Sequence, residues 1–290
     1  MLFEVTLSGV TLGGMYALVA MGLTLQYGVA RIMNLSYGEL LIAAAFVALW
    51  FFTGLQVSPA IGLLIVPPVA FVASFAIYRL LLQPLVRRAA SRDALEVDSI
   101  LATFGLLFAI QGVMLAIFGG AYYSYSFLSF PVTFLGATVA ANRLLALAFA
   151  VIIGLGLWLA LTRTRLGTAV RAVAVDPVAA ELVAIDVRLA SALAFALGGA
   201  LVASAGVLVS MFLTFNANLG VVFTLKALVV VIMGGVGNLL GALIAGLILG
   251  LVENYVATFV DPGLTLAATY AIFLIVLLVR PHGLLGRSSR

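Results

Sequence analysis

Apolar runs of span length, nearly free of charge, follow one another along almost the whole chain, and no other feature narrows its possible folds as much. A hydrocarbon core about 30 Å thick needs about 20 apolar residues of helix to cross it. Nine runs meet or approach that measure: residues 6–29, 39–55, 60–82, 97–118, 143–161, 189–213, 221–236, 239–259 and 264–280. The second and seventh are short, which leaves either open to being a broken or re-entrant element. Of the 290 residues, 65% are hydrophobic and 8% charged, whereas a soluble domain is about half apolar and about a quarter charged. The chain reads as all-α: one polytopic membrane bundle over residues 1–290, with about eight to ten transmembrane segments.

Lysine and arginine accumulate on the cytoplasmic side of membrane proteins. With the N-terminus outside and the C-terminus inside, Arg31, Arg79, Arg87, Arg88, Arg92, Arg163, Arg165, Arg171, Arg188, Arg280, Arg287 and Arg290 all fall inside, leaving only Arg143 and Lys226 elsewhere. The net charge of +4 therefore reads as a topology signal and not as a nucleic-acid footprint. The opening MLFEVTLSGV carries Glu4 and no basic region, so a cleaved signal peptide is not expected and the mature chain is expected to start near Met1.

Two long polar stretches face inward, residues 83–96 and 162–188. In the second, Asp176 before Pro177 is a helix start, an acceptor followed by a residue whose missing N–H costs nothing there. The short amphipathic helix that follows exposes Glu181 and presents Val178, Leu182 and Ile185. It is suited either to lie on the bilayer or to insert into a motor protein. The longest external loop, about residues 119–142, holds Tyr122, Tyr123, Tyr125, Phe127 and Phe130, an interfacial aromatic belt or a surface for an external partner.

Small residues at four-residue spacing let helices approach closely in lipid. Gly9, Gly13 and Ala17, Gly237 and Gly241, and Gly246 and Gly250 make such stripes, so the 29 glycines point to a dense bundle. A faint echo links residues 34–49 with 234–249, each a polar glycine-containing bend that opens into a small-residue helix. Duplicated breaks of this kind build central pathways in transporters.

Catalytic signatures are missing from the sequence. GGVGNLLG lacks the lysine of a phosphate loop, there is no G-x-S-x-G or H-E-x-x-H, and with no cysteine and a single histidine, His282, no metal-ligand cluster can be assembled. The chain is not expected to be an enzyme, to bind a cofactor or metal, or to hydrolyse ATP by itself. Its chemistry rests on polar groups in or beside apolar runs: Gln26, Asn34, Glu39, Gln111, Asn216, Asn218, Lys226, Asn238, Glu253 and Asn254. A charge at membrane depth costs about 2.5 kcal/mol or more, so it faces a partner or a wet cavity. Lys226 and Glu253 sit on adjacent antiparallel runs and are placed to pair, fixing helix register or serving a pathway. Glu39 opens the second run, where a carboxylate also suits a helix N-terminus.

The segments 8–39, 164–187 (TRLGTAVRAVAVDPVAAELVAIDV), 225–253 (LKALVVVIMGGVGNLLGALIAGLILGLVE) and 280–287 (RPHGLLGR) occur in this order, and together they resemble the permeases of branched-chain amino acid ABC transporters, the LivH-type half. The resemblance runs almost end to end. It implies half of a translocation pathway in a bacterial inner membrane, with a second LivM-type permease, two cytoplasmic ATPases that bind ATP and Mg, and a periplasmic substrate-binding protein. It implies an ATPase-coupling role for Arg171, Asp176, Pro177, Glu181 and Leu182, and has the 34–39 stretch, with Asn34, Tyr37 and Glu39, and Lys226 line or brace the central region; Asn238 and Glu253 are taken with them as pathway residues. Two positions depart from the family. Where it reads N-F-A-H-G-E this chain has Tyr37 for the histidine, and the glycine usual after the coupling helix is Ala184, which bears on that helix's exit angle. The implied substrates are branched-chain or other hydrophobic amino acids, or a related small carboxylate or amide such as urea or an aromatic acid. Two rivals stand beside this reading: an ion-coupled transporter with Glu39, Lys226 and Glu253 as a relay, and a membrane scaffold without transport.

Overall fold

The computed structural model describes residues 2–89, 91–125, 127–134 and 137–286. Met1, Arg287 and Arg290, which entered the readings of the chain start and charge bias, lie outside the described residues.

The first apolar run forms α1 (Leu2–Ala30), and a short link leads to α2 (Tyr37–Gly54). Next, α3 (Pro59–Ile77) continues through a π-turn (Tyr78–Leu82) into α4 (Gln83–Arg88) as one long rod. Ser58 caps this rod, accepting from the Ala60 amide. Helix α5 spans Arg92–Phe118. The loop beyond it contains a feature that its aromatic composition does not announce, a hairpin of β1 (Pro131–Phe134) and β2 (Ala137–Ala140), paired antiparallel. Then come α6 (Ala141–Arg163), α7 (Arg165–Val175), α8 (Pro177–Leu182) and α9 (Val187–Ser210). The chain closes with α10 (Gly220–Gly234), α11 (Leu239–Phe259) and α12 (Thr265–Val279).

Among the described residues, eight helical stretches are long and apolar enough to cross a membrane, the last being α12 together with the turn before it (Pro262–Val279, 18 residues), and α10 is the short apolar helix beside them. Of the two short runs, α2 is a full 18-residue helix, whereas α10 has 15 residues and is too short to span about 30 Å at 1.5 Å per residue.

Burial separates the centre of the bundle from its lipid-facing rim. In α9, 83% of the most apolar window is buried, against 6% in the last span. Helix α9 can sit centrally because most of its buried positions are alanine, serine or glycine, which let α1, α2 and α3 close on it. The stripes on α1 and α11 meet each other: a side chain at Gly13 would strike the Leu247 backbone, and one at Gly250 would strike Gly13. These glycines are used up within the chain. The two basic residues that the charge pattern leaves apart from the others, Arg143 and Lys226, are both held by partners. Arg143 donates to Ser8 Oγ at 2.9 Å, and Lys226 is paired with Glu253.

Candidate functional site

The structure brings two helix starts together inside the bundle. After α1 the chain turns through residues 31–36, a turn organised by Asn34. Its Oδ1 accepts from the Ser36 amide at 3.1 Å and from Ser36 Oγ at 2.7 Å, and its Nδ2 donates to Gln26 Oε1 at 3.2 Å. Gln26 in turn donates to the Phe195 carbonyl of α9 at 2.8 Å. Helix α2 therefore begins at full burial, with Tyr37, Gly38 and Glu39 all shielded. The Tyr37 hydroxyl donates to the Gly198 carbonyl near the middle of α9, at 3.0 Å.

Helix α10 starts against the same point. A side chain at Gly38 would strike the Gly220 carbonyl, and one at Gly220 would strike the Glu39 carboxyl group. Thr224 stitches the two starts together: its hydroxyl accepts from the Gly38 amide at 2.8 Å and lies 3.2 Å from the Leu35 carbonyl. The helix start that meets α2 is thus that of α10. Glu39 is 0% exposed and neither carboxylate oxygen has a hydrogen-bond partner, so it caps neither helix by a hydrogen bond.

A second polar cluster lies further along α10. Lys226 Nζ is 2.9 Å from both oxygens of Glu253 on α11. Tyr16 of α1 donates to Glu253 Oε2 at 2.6 Å and accepts from Lys226 at 2.7 Å, while Thr269 of α12 donates to Glu253 Oε1 at 2.6 Å. Four helices are tied through one carboxylate, whose oxygens are fully used. Glu39 makes no bond to this cluster, so the three-residue relay of the ion-coupled rival is not assembled.

Asn238 stands apart from both groups. It caps α11, accepting from the Gly241 amide at 3.0 Å, and donates to the Leu285 carbonyl of the C-terminal segment at 2.8 Å.

In the 162–188 segment, Asp176 Oδ1 accepts from the Val178 and Ala179 amides at 2.9 and 3.1 Å, with Pro177 in the first helical turn. Val173 and Ala180 are buried, whereas Arg171, Val178, Glu181 and Leu182 are exposed. Ala184 holds φ +60°, the left-handed position that ends many helices, usually as glycine. The Ile185 amide bonds the Ala180 carbonyl and the Ala184 amide bonds that of Glu181, so the glycine-type exit is kept with an alanine in it.

Tyr16, Thr224 and Thr269 were not singled out from sequence. Of these only Tyr16 carried a signal, a polar group beside the Gly13–Ala17 stripe. A cavity of about 540 Å³ lies among α1, α6 and α11 and is lined by residues such as Leu18, Val151 and Leu243; it offers a solute no polar grip. A polar cavity of about 300 Å³ lies between the aromatic loop and the end of α9, bordered by Ser124, Tyr125, Asn142 and Thr214. Burial pushes the Tyr125 hydroxyl up to about 12, and it bonds Ser210 at 2.7 Å.

Residues 5–279 match the family model described as branched-chain amino acid transport system, permease component. The chain belongs to this family. It is 28% identical over 304 residues to the high-affinity branched-chain amino acid transport system permease protein BraD of Pseudomonas aeruginosa, covering 97% of this chain and 94% of the relative. Similarity to LivH of Escherichia coli K12 is also 28%, over 303 residues with the same coverage. A probable LivH of Methanocaldococcus jannaschii is 27% identical over 280 residues, 93% of this chain and 88% of the relative. No solved structure matches the chain. The family is one of transport permeases, and with its apolar helices this member is a multi-pass membrane protein.

Proposed function

We propose that this permease forms half of the membrane pathway of an ATP-driven importer for amino acids with apolar side chains. A second permease completes the pathway, two ATPase subunits that bind ATP and Mg drive it, and a periplasmic binding protein delivers the solute. The N-terminus faces outward and the C-terminus inward, in a bacterial inner membrane, which takes residues 211–234, with α10 as their helical part, as a ninth crossing.

The observation that carries this reading is the inward segment. Its helix is firmly capped at Asp176 and anchored by Val173 and Ala180, yet Val175, Val178, Leu182 and Val183 are turned outward, each more than 60% exposed. A rigid, apolar, unpartnered handle between two spans matches what a motor subunit would grip. The buried helix starts of α2 and α10 supply polar backbone at depth, where transporters place broken helices around their solutes.

The test is uptake of leucine, isoleucine and valine by proteoliposomes that hold both permeases and the ATPases, with the binding protein added outside. Uptake is expected only with ATP and an intact ATPase. Uptake that persists without hydrolysis, or that collapses with an uncoupler while ATP is held constant, would overturn the reading.

A further inference from the structure

Two unmet needs face each other where α2 and α10 begin. The carboxylate of Glu39 is fully buried with neither oxygen bonded, a state that costs free energy while the group stays ionised and unpaired. The Glu39 carboxyl group packs on Gly220, the first residue of α10. That helix has no side-chain cap, its first amides have no partner within the helix, and its dipole favours negative charge there. The carboxylate lacks donors and the helix start lacks an acceptor, yet they touch without bonding.

A molecule that carries an ammonium and a carboxylate on one carbon would satisfy both. We propose that Glu39 and the start of α10 form the site that holds the charged head of the solute in transit. Glu39 accepts from the ammonium, and the amides of Gly220, Val221 and Val222 donate to the carboxylate. In the conformation described here the site is shut, and the Glu39 carboxyl group fills the place at Gly220 that the solute carboxylate would take.

The surroundings allow opening. Helix α2 is fastened to α9 through Tyr37 and Gly198, whereas α10 is fastened to α1, α11 and α12 through Lys226, Glu253, Tyr16 and Thr269. Across the seam the hydroxyl of Thr224 makes the hydrogen bonds. A small separation of α2 from α10 would expose the carboxylate and the helix start together. This inference rests on the proposed transport of amino acids and adds to it the residues that recognise the head group.

The experiment uses the assembled complex of both permeases and ATPases. Direct binding is measured for leucine, for 4-methylpentanoate, which lacks the ammonium, and for 3-methylbutylamine, which lacks the carboxylate. Leucine is expected to bind at least about tenfold more tightly than either analogue, a margin of about 1.4 kcal/mol. Glu39→Gln should weaken leucine and 3-methylbutylamine about tenfold and leave 4-methylpentanoate unchanged. In proteoliposomes the same variant should lose leucine uptake while hydrolysis stimulated by the binding protein continues, a split that a merely structural role would not produce.

Equal binding of leucine and 4-methylpentanoate by the wild-type complex overturns the proposal without any variant, as does Glu39→Gln with wild-type leucine binding. Leucine uptake that does not depend on ATP would instead sink the importer reading, while the binding comparison still decides the role of Glu39.

Discussion

Lys226 and Glu253 form a two-pronged ion pair, with Nζ 2.9 Å from each carboxylate oxygen, and every other bond to that carboxylate comes from a different helix. The pair links α10 to α11, Tyr16 adds α1 and Thr269 adds α12. Such a junction fixes how the short helix α10 is rotated, and so where Gly220 and Thr224 point. The same pair was available to a pathway reading from sequence, and the geometry favours a brace because no oxygen of Glu253 is left for a passing solute.

Breaking the brace from one side should be costly. Glu253→Ala strands a cation that is 14% exposed, and loss of one partner of a buried pair costs about 3 to 5 kcal/mol. Replacing both partners with apolar groups, Lys226→Met with Glu253→Leu, should recover most of that stability, read as the thermal midpoint of the purified complex. Uptake should return with stability. A double variant that is stable but inactive would assign the pair to the pathway instead.

The glycines divide by what faces them. A side chain at Gly250 of α11 would meet the Gly13 backbone, whereas nothing lies within 4 Å of that position at Gly105 of α5. Gly250→Ala should destabilise by about 1 to 3 kcal/mol through overpacking. Gly105→Ala should stabilise by up to about 1 kcal/mol, since alanine is the better helix former. Thermal midpoints of the two variants, measured side by side, check the contrast, and similar losses at both would show that α5 has a tight neighbour in the assembly.

Ala184 occupies a backbone position that costs a non-glycine residue about 1 to 2 kcal/mol. Ala184→Gly should relieve about 1 kcal/mol and hold the end of α8 more firmly. Exchange of the Ile185 amide, which bonds the Ala180 carbonyl, should slow about fivefold. Unchanged exchange would mean that the segment is held by its contacts with α7 and α9 and not by its own closing turn.

The spans were legible because each must be apolar for the full thickness of a bilayer, and the helix after Asp176 because Asp-Pro is a local signal that needs no tertiary contact. The Lys226–Glu253 pair could be read from two charges on neighbouring runs. Depth was not legible. Nothing in an apolar run says that α2 begins inside the bundle, so Glu39 read as the residue opening a span and not as a carboxylate buried without a partner. Tyr16, Thr224 and Thr269 were silent because a hydroxyl is cheap anywhere in a span, and its role depends on how two helices are rotated against each other. The paired strands at residues 131–134 and 137–140 were hidden by a composition that reads equally well as an aromatic belt.

Helix α8 offers the most decisive choice between the two roles its sequence left open. Leu182 is 84% exposed and makes no contribution to the core, so Leu182→Asp should alter the stability of this chain by no more than about 0.5 kcal/mol. If the exposed face inserts into an ATPase groove, the buried charge should cut co-purification of the ATPase subunits at least tenfold and abolish ATP-driven uptake. Asp176→Ala makes a useful partner, because losing the cap costs about 1 kcal/mol of helix stability without altering the apolar face. That variant should assemble and transport with reduced coupling, seen as fewer solutes moved per ATP hydrolysed. Leu182→Asp that retains its ATPase partners but binds vesicles of anionic lipid more weakly would place the helix on the bilayer and remove it from the drive train.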